Sequence, residues 1–379
     1  MRVGVAIVGG GSTGLFTAYY LRRLGYGGEI AILERNYLGS GSTGRCAGGI
    51  RASFTSEVHV ALMRESINEW LRLRDDAGLP FKQSGYLWLL TTEELVRQHE
   101  ALQRLHNQLG VPTRMLYGED VLSVAPSMKL ADVIAGLHDP TAGKISPLKT
   151  VWIMRKNLIR LGVRILEYVR VEEIVTERGE AVALRTSGGG RVEVEDAVVV
   201  AAGYWSKELL KPLGYEPPLR GDPHHLMITE KYAPFLDPLV IHKASGSYIV
   251  QVSSGGVILG TEYPVPENDL SIHLGFIGKA VKYMSRYFPQ VLEANLLRVW
   301  TGYYIKTPDH HPIVGRVPGH SNLYLATGYS GHGFMMAPII GRELANYVLK
   351  GEPELPETRK LVPERYERGE LLEEKAIFG

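Results

Sequence analysis

The stretch VGVAIVGGGSTGLFTAYYLRRLG, residues 3 to 25, leaves a chain little choice of fold. Its first half is short, apolar and β-branched, and glycine stops it, which reads as a buried strand. The second half reads as a helix, with Leu15, Ala18, Tyr19 and Leu24 able to share one face. EIAILER follows as a second buried strand, so residues 3 to 35 predict a βαβ unit. Gly9, Gly11 and Gly14 have the G-x-G-x-x-G spacing, and Glu34 closes the second strand about 20 residues on, a context that makes the glycines a dinucleotide fingerprint. Gly9 allows the tight turn, Gly11 lets a pyrophosphate reach the backbone, and Gly14 packs helix on strand. The helix start, with Ser12 and Thr13, offers free N–H groups to phosphates. Glu34, with Arg35 beside it, is placed at the ribose of the adenosine end.

The same texture returns at the far end. NLYLATGYSGHGFMMAPIIGRELANYVL is again strand, glycine-rich turn and helix. Such a turn would bring amides and a helix start to one end of a ring system. Flavin profits from that, because reduction leaves negative charge that a helix N-terminus stabilises. FAD is therefore favoured over NAD.

Between these ends the pattern alternates. SEVHVALMRESINEWLRLRDDAG predicts an amphipathic helix closed by Gly78, and SPLKTVWIMRKNLIRLGV a helix with Ser146 as N-cap and Pro147 at its first position. GYLWLLTTEELVRQHEALQRLHNQLGV pairs a strand with a charged helix capped by Thr91 or Thr92. Residues 216 to 305 read as mostly strand, as in an antiparallel sheet. The expected fold is α/β: a Rossmann-type FAD-binding domain assembled from the discontinuous segments 1–80, 144–215 and 306–379, with an inserted α+β substrate domain, 81–143 and 216–305, built on an antiparallel sheet.

Composition narrows the alternatives. With 42 Lys+Arg against 41 Asp+Glu, the net charge of +1 gives no reason to expect a nucleic-acid partner. One cysteine excludes an internal disulfide and fits a reducing cytoplasm, and no apolar run approaches the roughly 20 residues that cross a bilayer. Few Asn and Gln residues hint at a thermophilic source. The pairs His224-His225 and His310-His311 lack helical metal-site spacing, so no metal is expected.

VAIVGGGSTGLFTAYYLRRLG, GSTGRCAGGIR, AVVVAAGYWS, KTPDHHPIVG and ATGYSGHGFMMAP together resemble the FAD-dependent amino-acid oxidoreductases, the family of D-amino acid oxidase, glycine oxidase and sarcosine oxidase. The likeness spans essentially the whole chain and keeps motif order. The loop RCAGGIR is most similar to the β subunits of heteromeric sarcosine oxidase and archaeal dye-linked L-proline dehydrogenase. The resemblance implies that Ser42, Thr43 and Arg45 serve the pyrophosphate and flavin, and that Ala47, Gly48, Gly49 and Ile50 lie against the ring. It implies that Arg51 binds the substrate carboxylate, for which a planar guanidinium is suited. Val171 is expected at the adenine, Ala202 and Gly203 under the cofactor, and Gly331, His332, Gly333, Phe334 and Met335 at the flavin edge. Tyr248 is expected over the substrate; His224, and His332 again, complete the catalytic candidates. Cys46 reads as a small residue packed beneath the flavin rather than a reactive thiolate.

Three departures from the family pattern matter. Where sarcosine oxidases carry a lysine after the Phe of GHGF, this chain has Met335; Lys306 is a candidate replacement, or simply a solvated lysine. GGVILGTE lacks the lysine that activates oxygen, and GKISPLK offers Ser146-Pro147 where a covalent FMN would need histidine. The resemblance thus implies oxidation of an amino acid, foremost L-proline or sarcosine, by hydride transfer to flavin N5 giving an imine. The electron acceptor would be a dye, a quinone or a partner flavoprotein. A glycine or D-amino acid oxidase or dehydrogenase is the alternative within enzymes. An electron-relay β subunit of a heteromer, with an α subunit or as a homo-oligomer, is the alternative outside that class. A cytoplasmic or membrane-peripheral location follows from the same reading.

Overall fold

A computed structural model describes residues 1–375. The opening strand, Arg2–Val8, lies at the heart of the first sheet, parallel to Ile30–Glu34 on one side and Gly190–Val200 on the other. Leu323–Thr327 and Arg164–Glu167 extend the parallel set at the two ends, and Ile313–Arg316 adds an antiparallel edge. A parallel sheet covered on both faces demands continuous apolar strands. Val3, Val5, Ala6, Ile7 and Val8 meet that demand, all buried. Val5 and Ile7 face a layer of helices: Ser12–Arg23, Glu57–Ala77, Pro147–Arg160 and Gly333–Lys350. Val3, Ala6 and Val8 face the hairpin Val171–Glu177 and Glu180–Thr186, which branches from Gly190–Val200.

Local chemistry sets the helix limits. Ser56, Thr92 and Ser146 each accept a hydrogen bond from the amide three residues on, at His59, Leu95 and Lys149. Gly78 ends its helix in the left-handed conformation, φ 72°, which costs glycine nothing.

The second sheet has eight strands, ordered Leu296–Lys306, Arg220–Lys231, Gly256–Gly260, Ser247–Gln251, Leu239–His242, Tyr86–Leu90, Ala135–Asp139 and Arg114–Tyr117. It departs from the expected antiparallel pattern at one place, because Leu239–His242 runs parallel to Tyr86–Leu90. There the two chain segments that build the sheet meet, and no hairpin dictates direction. A second departure is the helix Gly275–Met284 inside a stretch read as strand. Its buried Phe276, Ala280 and Met284 recur every fourth residue, a spacing masked by the surrounding Gly and Tyr.

Strand alternation gives this sheet two jobs. Leu87 and Leu89 face the helix Gly275–Met284, whereas Tyr86 and Trp88 cluster with Leu226, Ile241 and Tyr248 on the side turned to the first domain. No helix among the described residues is long and apolar enough to cross a membrane.

Two close contacts hold the helix layer. Trp70 Nε1 and Ser66 Oγ both donate to Met335 O, at 3.0 and 2.6 Å, anchoring the start of the C-terminal helix. Gly341 lets that helix cross Ser12–Arg23 backbone to backbone: a Cβ at Gly341 would sit 2.7 Å from Phe16 C and 2.8 Å from Thr17 N. Backbone cannot yield as a side chain can, so Gly341→Val is expected to destabilise by ~3 kcal/mol or more. Urea unfolding of the holoprotein reads this directly; an unchanged midpoint would refute the packing role.

Candidate functional site

A cleft of about 460 Å³ runs from the first glycine turn to the inner face of the second sheet. At its head, Gly9 has φ 113°, and any Cβ there would collide with Ala201 O. Gly14 packs just as tightly on Gly9 O and Ile7 and takes no part in lining the cleft. Gly11, Ser12 and Thr13 do line it, and no side chain caps the helix at Gly11. First-turn amides have no partner within a helix, so an anion is the natural ligand here. Thr43 Oγ1 accepts from Ser12 N at 3.0 Å and joins the second glycine loop to the first.

Glu34, Arg35, Val169, Arg170, Val171 and Trp205 line another part of the cleft. Glu34 Oε2 accepts from Gly10 N at 2.8 Å, and Oε1 from Asn36 N at 2.9 Å and Ser40 Oγ at 3.3 Å. One carboxylate thereby ties the glycine turn to the loop beyond the second strand. The Arg35 guanidinium stacks 3.5 Å from the Trp205 ring, forming a flat cationic-aromatic wall suited to a purine.

The loop 41–49 forms the middle of the cleft, through Ser42, Thr43, Arg45, Cys46, Ala47, Gly48 and Gly49. Ser42 Oγ donates to Tyr303 O at 3.0 Å and Trp300 Nε1 to Arg45 O at 2.8 Å, so the second sheet pins this loop. Gly48, φ 80°, and Gly49 leave no room for Cβ atoms, which would strike Ile145 O and the Tyr86 hydroxyl. Burial pushes the Cys46 thiol up to about 12, so it is an inert packing residue. Ala202 and Gly203 line the cleft beneath, with Ala201 and Ala326.

Tyr329, Gly331, Gly333, Phe334 and Met335 bring the start of the C-terminal helix to the cleft, with Tyr329 Oη accepting from Thr13 Oγ1 at 3.0 Å. His332 does not line it. Its ring is buried on the other side of the turn, 4.7 Å from Phe54 and 5.3 Å from His59. A catalytic role at the cleft, expected from sequence, is thereby corrected: the reversal of the chain at Ser330 and Gly331 sends alternate side chains to opposite sides. Burial, and after it the neighbouring His59, hold the His332 imidazole well below its usual pKa. Ile50 is likewise in the core rather than in the lining.

The sheet closes the cleft with His224, Leu226, Tyr248, Gly302 and Tyr304. The His224 ring stacks on Tyr304, with centroids 3.7 Å apart and planes 17° apart. His224 Nε2 is 3.1 Å from Asp222 Oδ2, and Lys306 forms an ion pair with the same oxygen. Burial would raise the Asp222 carboxyl, but the hydrogen bonds from His224 and Lys306 outweigh it and hold the group ionised. Lys306 is thus committed to Asp222 rather than solvated. Tyr248 is buried and packs on Gly260, and its hydroxyl is driven well above its usual pKa by that burial.

Arg51 is fully buried one step behind Gly49 and does not itself line the cleft. Its NH1 donates to Ser53 O at 2.6 Å, and its Cζ lies 3.8 Å from the Phe54 ring and 4.9 Å from Trp88. Tyr86 and Tyr304 are close enough to feel its charge. Sequence reading did not single out Tyr304, Trp205 or Tyr329, although Trp205 and Tyr329 lie within AVVVAAGYWS and ATGYSGHGFMMAP and strand alternation in TGYYIK is the signal that could have found Tyr304. Among the described residues no group of three His, Cys, Asp or Glu side chains could hold a metal.

A long cleft reached by glycine amides, by a second helix start and by aromatic walls fits an extended dinucleotide carrying a flavin. Comparison with known proteins agrees. Residues 4–347 match the family model for FAD dependent oxidoreductases, DAO. The sarcosine oxidase subunit beta of Rhizobium meliloti is 28% identical, over 98% of this chain and 90% of its own. The L-proline dehydrogenase of P. horikoshii superposes with a TM-score of 0.92 at 33% identity, covering 98% of this chain and 99% of that one. Glycine oxidase from Geobacillus kaustophilus shares the fold, with a TM-score of 0.84 at 24% identity over 94% of this chain and 96% of its own. The chain belongs to the family of FAD-dependent oxidoreductases, as an enzyme that acts on amino acids with FAD as its cofactor.

Proposed function

We propose that the protein oxidises a secondary amino acid, foremost L-proline, with sarcosine next, and that its two domains divide at 1–80, 144–215 and 306–379 against 81–143 and 216–305. The observation that carries the reading is the substrate-side wall of the cleft: Tyr248, Tyr304 and His224 line it, and the buried Arg51 guanidinium lies in the layer behind, against Phe54 and Trp88. A cation held there is matched to a carboxylate, and the aromatic walls to a compact apolar ring. Likeness to the L-proline dehydrogenase and to the sarcosine oxidase subunit supports the same substrate class.

FAD, which the glycine turn at Gly9 to Thr13 and the loop 41–49 would hold, would supply acceptance of a hydride from the carbon next to nitrogen, which would leave an imine. The chain's own task is then to orient. Arg51 holds the carboxylate, Tyr248 covers the substrate, and His224, steadied by Asp222 and Tyr304, offers a polar contact at the sheet end. No carboxylate lines that end among the described residues, which suits a reaction needing no strong base. The strand Gly256–Gly260 carries no lysine where relatives place the one that activates oxygen, which supports a dye, a quinone or a partner flavoprotein as the electron acceptor. Likeness to the sarcosine oxidase subunit beta of Rhizobium meliloti favours a heteromeric assembly. We place the enzyme in the cytoplasm or at a membrane periphery.

Anaerobic titration with L-proline, sarcosine, glycine and D-proline tests the substrate. L-Proline is expected to bleach the flavin most efficiently; faster bleaching by glycine or D-proline would replace this reading with the alternative. Arg51→Ala should raise the KM for the amino acid ~tenfold or more, the cost of one charge-assisted contact, with FAD retained. Steady-state kinetics beside the flavin absorbance measure both, and an unchanged KM removes Arg51 from the role. Glu34→Ala should weaken FAD retention ~tenfold, since both the ribose-side acceptor and the tie to Gly10 disappear. Equilibrium dialysis of the apoprotein with FAD reads the change, and full retention would contradict the assigned role.

A further inference from the structure

The helix Pro147–Arg160 presents two faces. Val151, Met154 and Leu158 turn inward and are buried. Leu148, Trp152 and Ile159 recur on the opposite face, four and then seven residues apart, and each is more than half exposed. Tyr37 and Tyr168, exposed by 56% and 73%, widen this row. Tyr168 N donates to Asn36 O at 2.8 Å, Leu38 N donates to Glu167 Oε1 at 2.9 Å, and Arg155 pairs with Glu167 at 3.0 Å, which sets both tyrosines beside the helix. A contiguous apolar row of this kind marks a surface that something covers.

Charge along the row has one sign. The helix carries Lys149, Arg155, Lys156 and Arg160 and no acidic residue, in a chain whose net charge is only +1. Glu167 answers Arg155. Among the described residues no carboxylate lies within ion-pair distance of Lys149, Lys156 or Arg160. Lys156 Nζ stands 3.5 Å from the centre of the Trp152 ring, so cation and indole share one place at the surface. Lysine is scarce at protein–protein interfaces, whereas tryptophan and tyrosine among lysines and arginines sit at the level of lipid headgroups. The acidic headgroups of a bilayer complement the cations, and its acyl boundary complements the apolar row.

We infer that this face of the helix docks the enzyme on an anionic membrane surface. The assignment rests on the reading of the enzyme as one at a membrane periphery, and not on the choice of amino acid. Leu148, Trp152 and Ile159 enter the boundary between headgroups and acyl chains, and Lys149, Lys156 and Arg160 meet lipid phosphates. The same helix backs the cofactor cleft: a Cβ on Gly44 would lie 3.5 Å from Leu148 Cδ2, and one on Gly39 would lie 2.9 Å from Val151 Cγ2. Docking therefore brings the loop 41–49 within one helix diameter, ~10 Å, of the bilayer, the phase in which an apolar quinone dissolves.

Flotation of the holoenzyme with lipid vesicles, followed by the flavin absorbance, tests the inference. Vesicles of phosphatidylcholine with ~30% phosphatidylglycerol should carry the wild type at least ~tenfold more tightly than phosphatidylcholine alone, and ~0.5 M salt should release it. Replacing both lysines, Lys149→Gln with Lys156→Gln, should weaken binding ~thirtyfold, roughly fivefold for each charge. Trp152→Gln should weaken it ~tenfold. FAD content, melting temperature and anaerobic bleaching by the amino acid should stay at wild-type values in every variant, because none of these side chains lines the cleft. A wild type left behind by both kinds of vesicle, equal binding to both, or binding that the substitutions do not weaken would overturn the docking and leave the substrate reading standing. So would self-association in the ultracentrifuge that Trp152→Gln breaks while vesicles bind nothing, for the face would then be a contact between protein chains. Docking that persists while no amino acid bleaches the flavin would instead remove the substrate reading alone.

Discussion

Backbone contact without intervening side chains, at Gly9, Gly14 and Gly341, is the constraint on which the rest of the molecule depends. Gly14 seats the first helix on the turn at Gly9, and Gly341 seats the last helix on the first. The two helices therefore enter the same layer at fixed height, although some three hundred residues separate them in the chain. Their N-termini, at Ser12 and Gly333, both reach one cleft, and Thr13 Oγ1 donates to Tyr329 Oη at 3.0 Å between them. Such an arrangement suits FAD, whose pyrophosphate and flavin ring would each lie near a positive helix end.

Hydrogen bonds between loops then turn this scaffold into a continuous wall. Glu34 binds Gly10, Asn36 and Ser40, and Thr43 accepts from Ser12. Ser42 and Arg45 are tied to the edge strand of the second sheet through Tyr303 and Trp300. The loop 41–49 is thus fixed from both domains, which explains why it tolerates so much glycine. Its conformation is imposed by partners, not by its own side chains.

Charge is distributed along the cleft with equal economy. Arg35 lies against Trp205 in the cleft and the buried Arg51 against Phe54 and Trp88 behind it, so each guanidinium rests on an aromatic face. Asp222 stays ionised because His224 and Lys306 hold it, and it in turn orients the histidine stacked on Tyr304. The wall formed by the second sheet is therefore largely aromatic, with Tyr248 and Tyr304 beside His224.

How much of this was legible in the sequence follows from the range of the interactions concerned. The βαβ unit, the helix caps at Ser56, Thr92 and Ser146, and the glycine turns rest on neighbours within a few residues, and a linear reading finds them. The helix Gly275–Met284 was hidden by its Gly and Tyr content, although its period of four is present. The parallel pairing of Leu239–His242 with Tyr86–Leu90 has no local signal at all, since it joins segments about 150 residues apart. The same holds for the site. Gly9, Gly11, Glu34 and Gly331 are visible as motif positions, because phosphate and ring chemistry require those residue types at those spacings. Which way His332 turns and that Lys306 is bound to Asp222 were decided only when the two sheets packed, for those contacts exist nowhere along the chain. The sequence by itself determined the cofactor and the backbone that grips it; tertiary structure alone decided which side chains face the substrate, because burial and charge at that end are properties of the assembled interface.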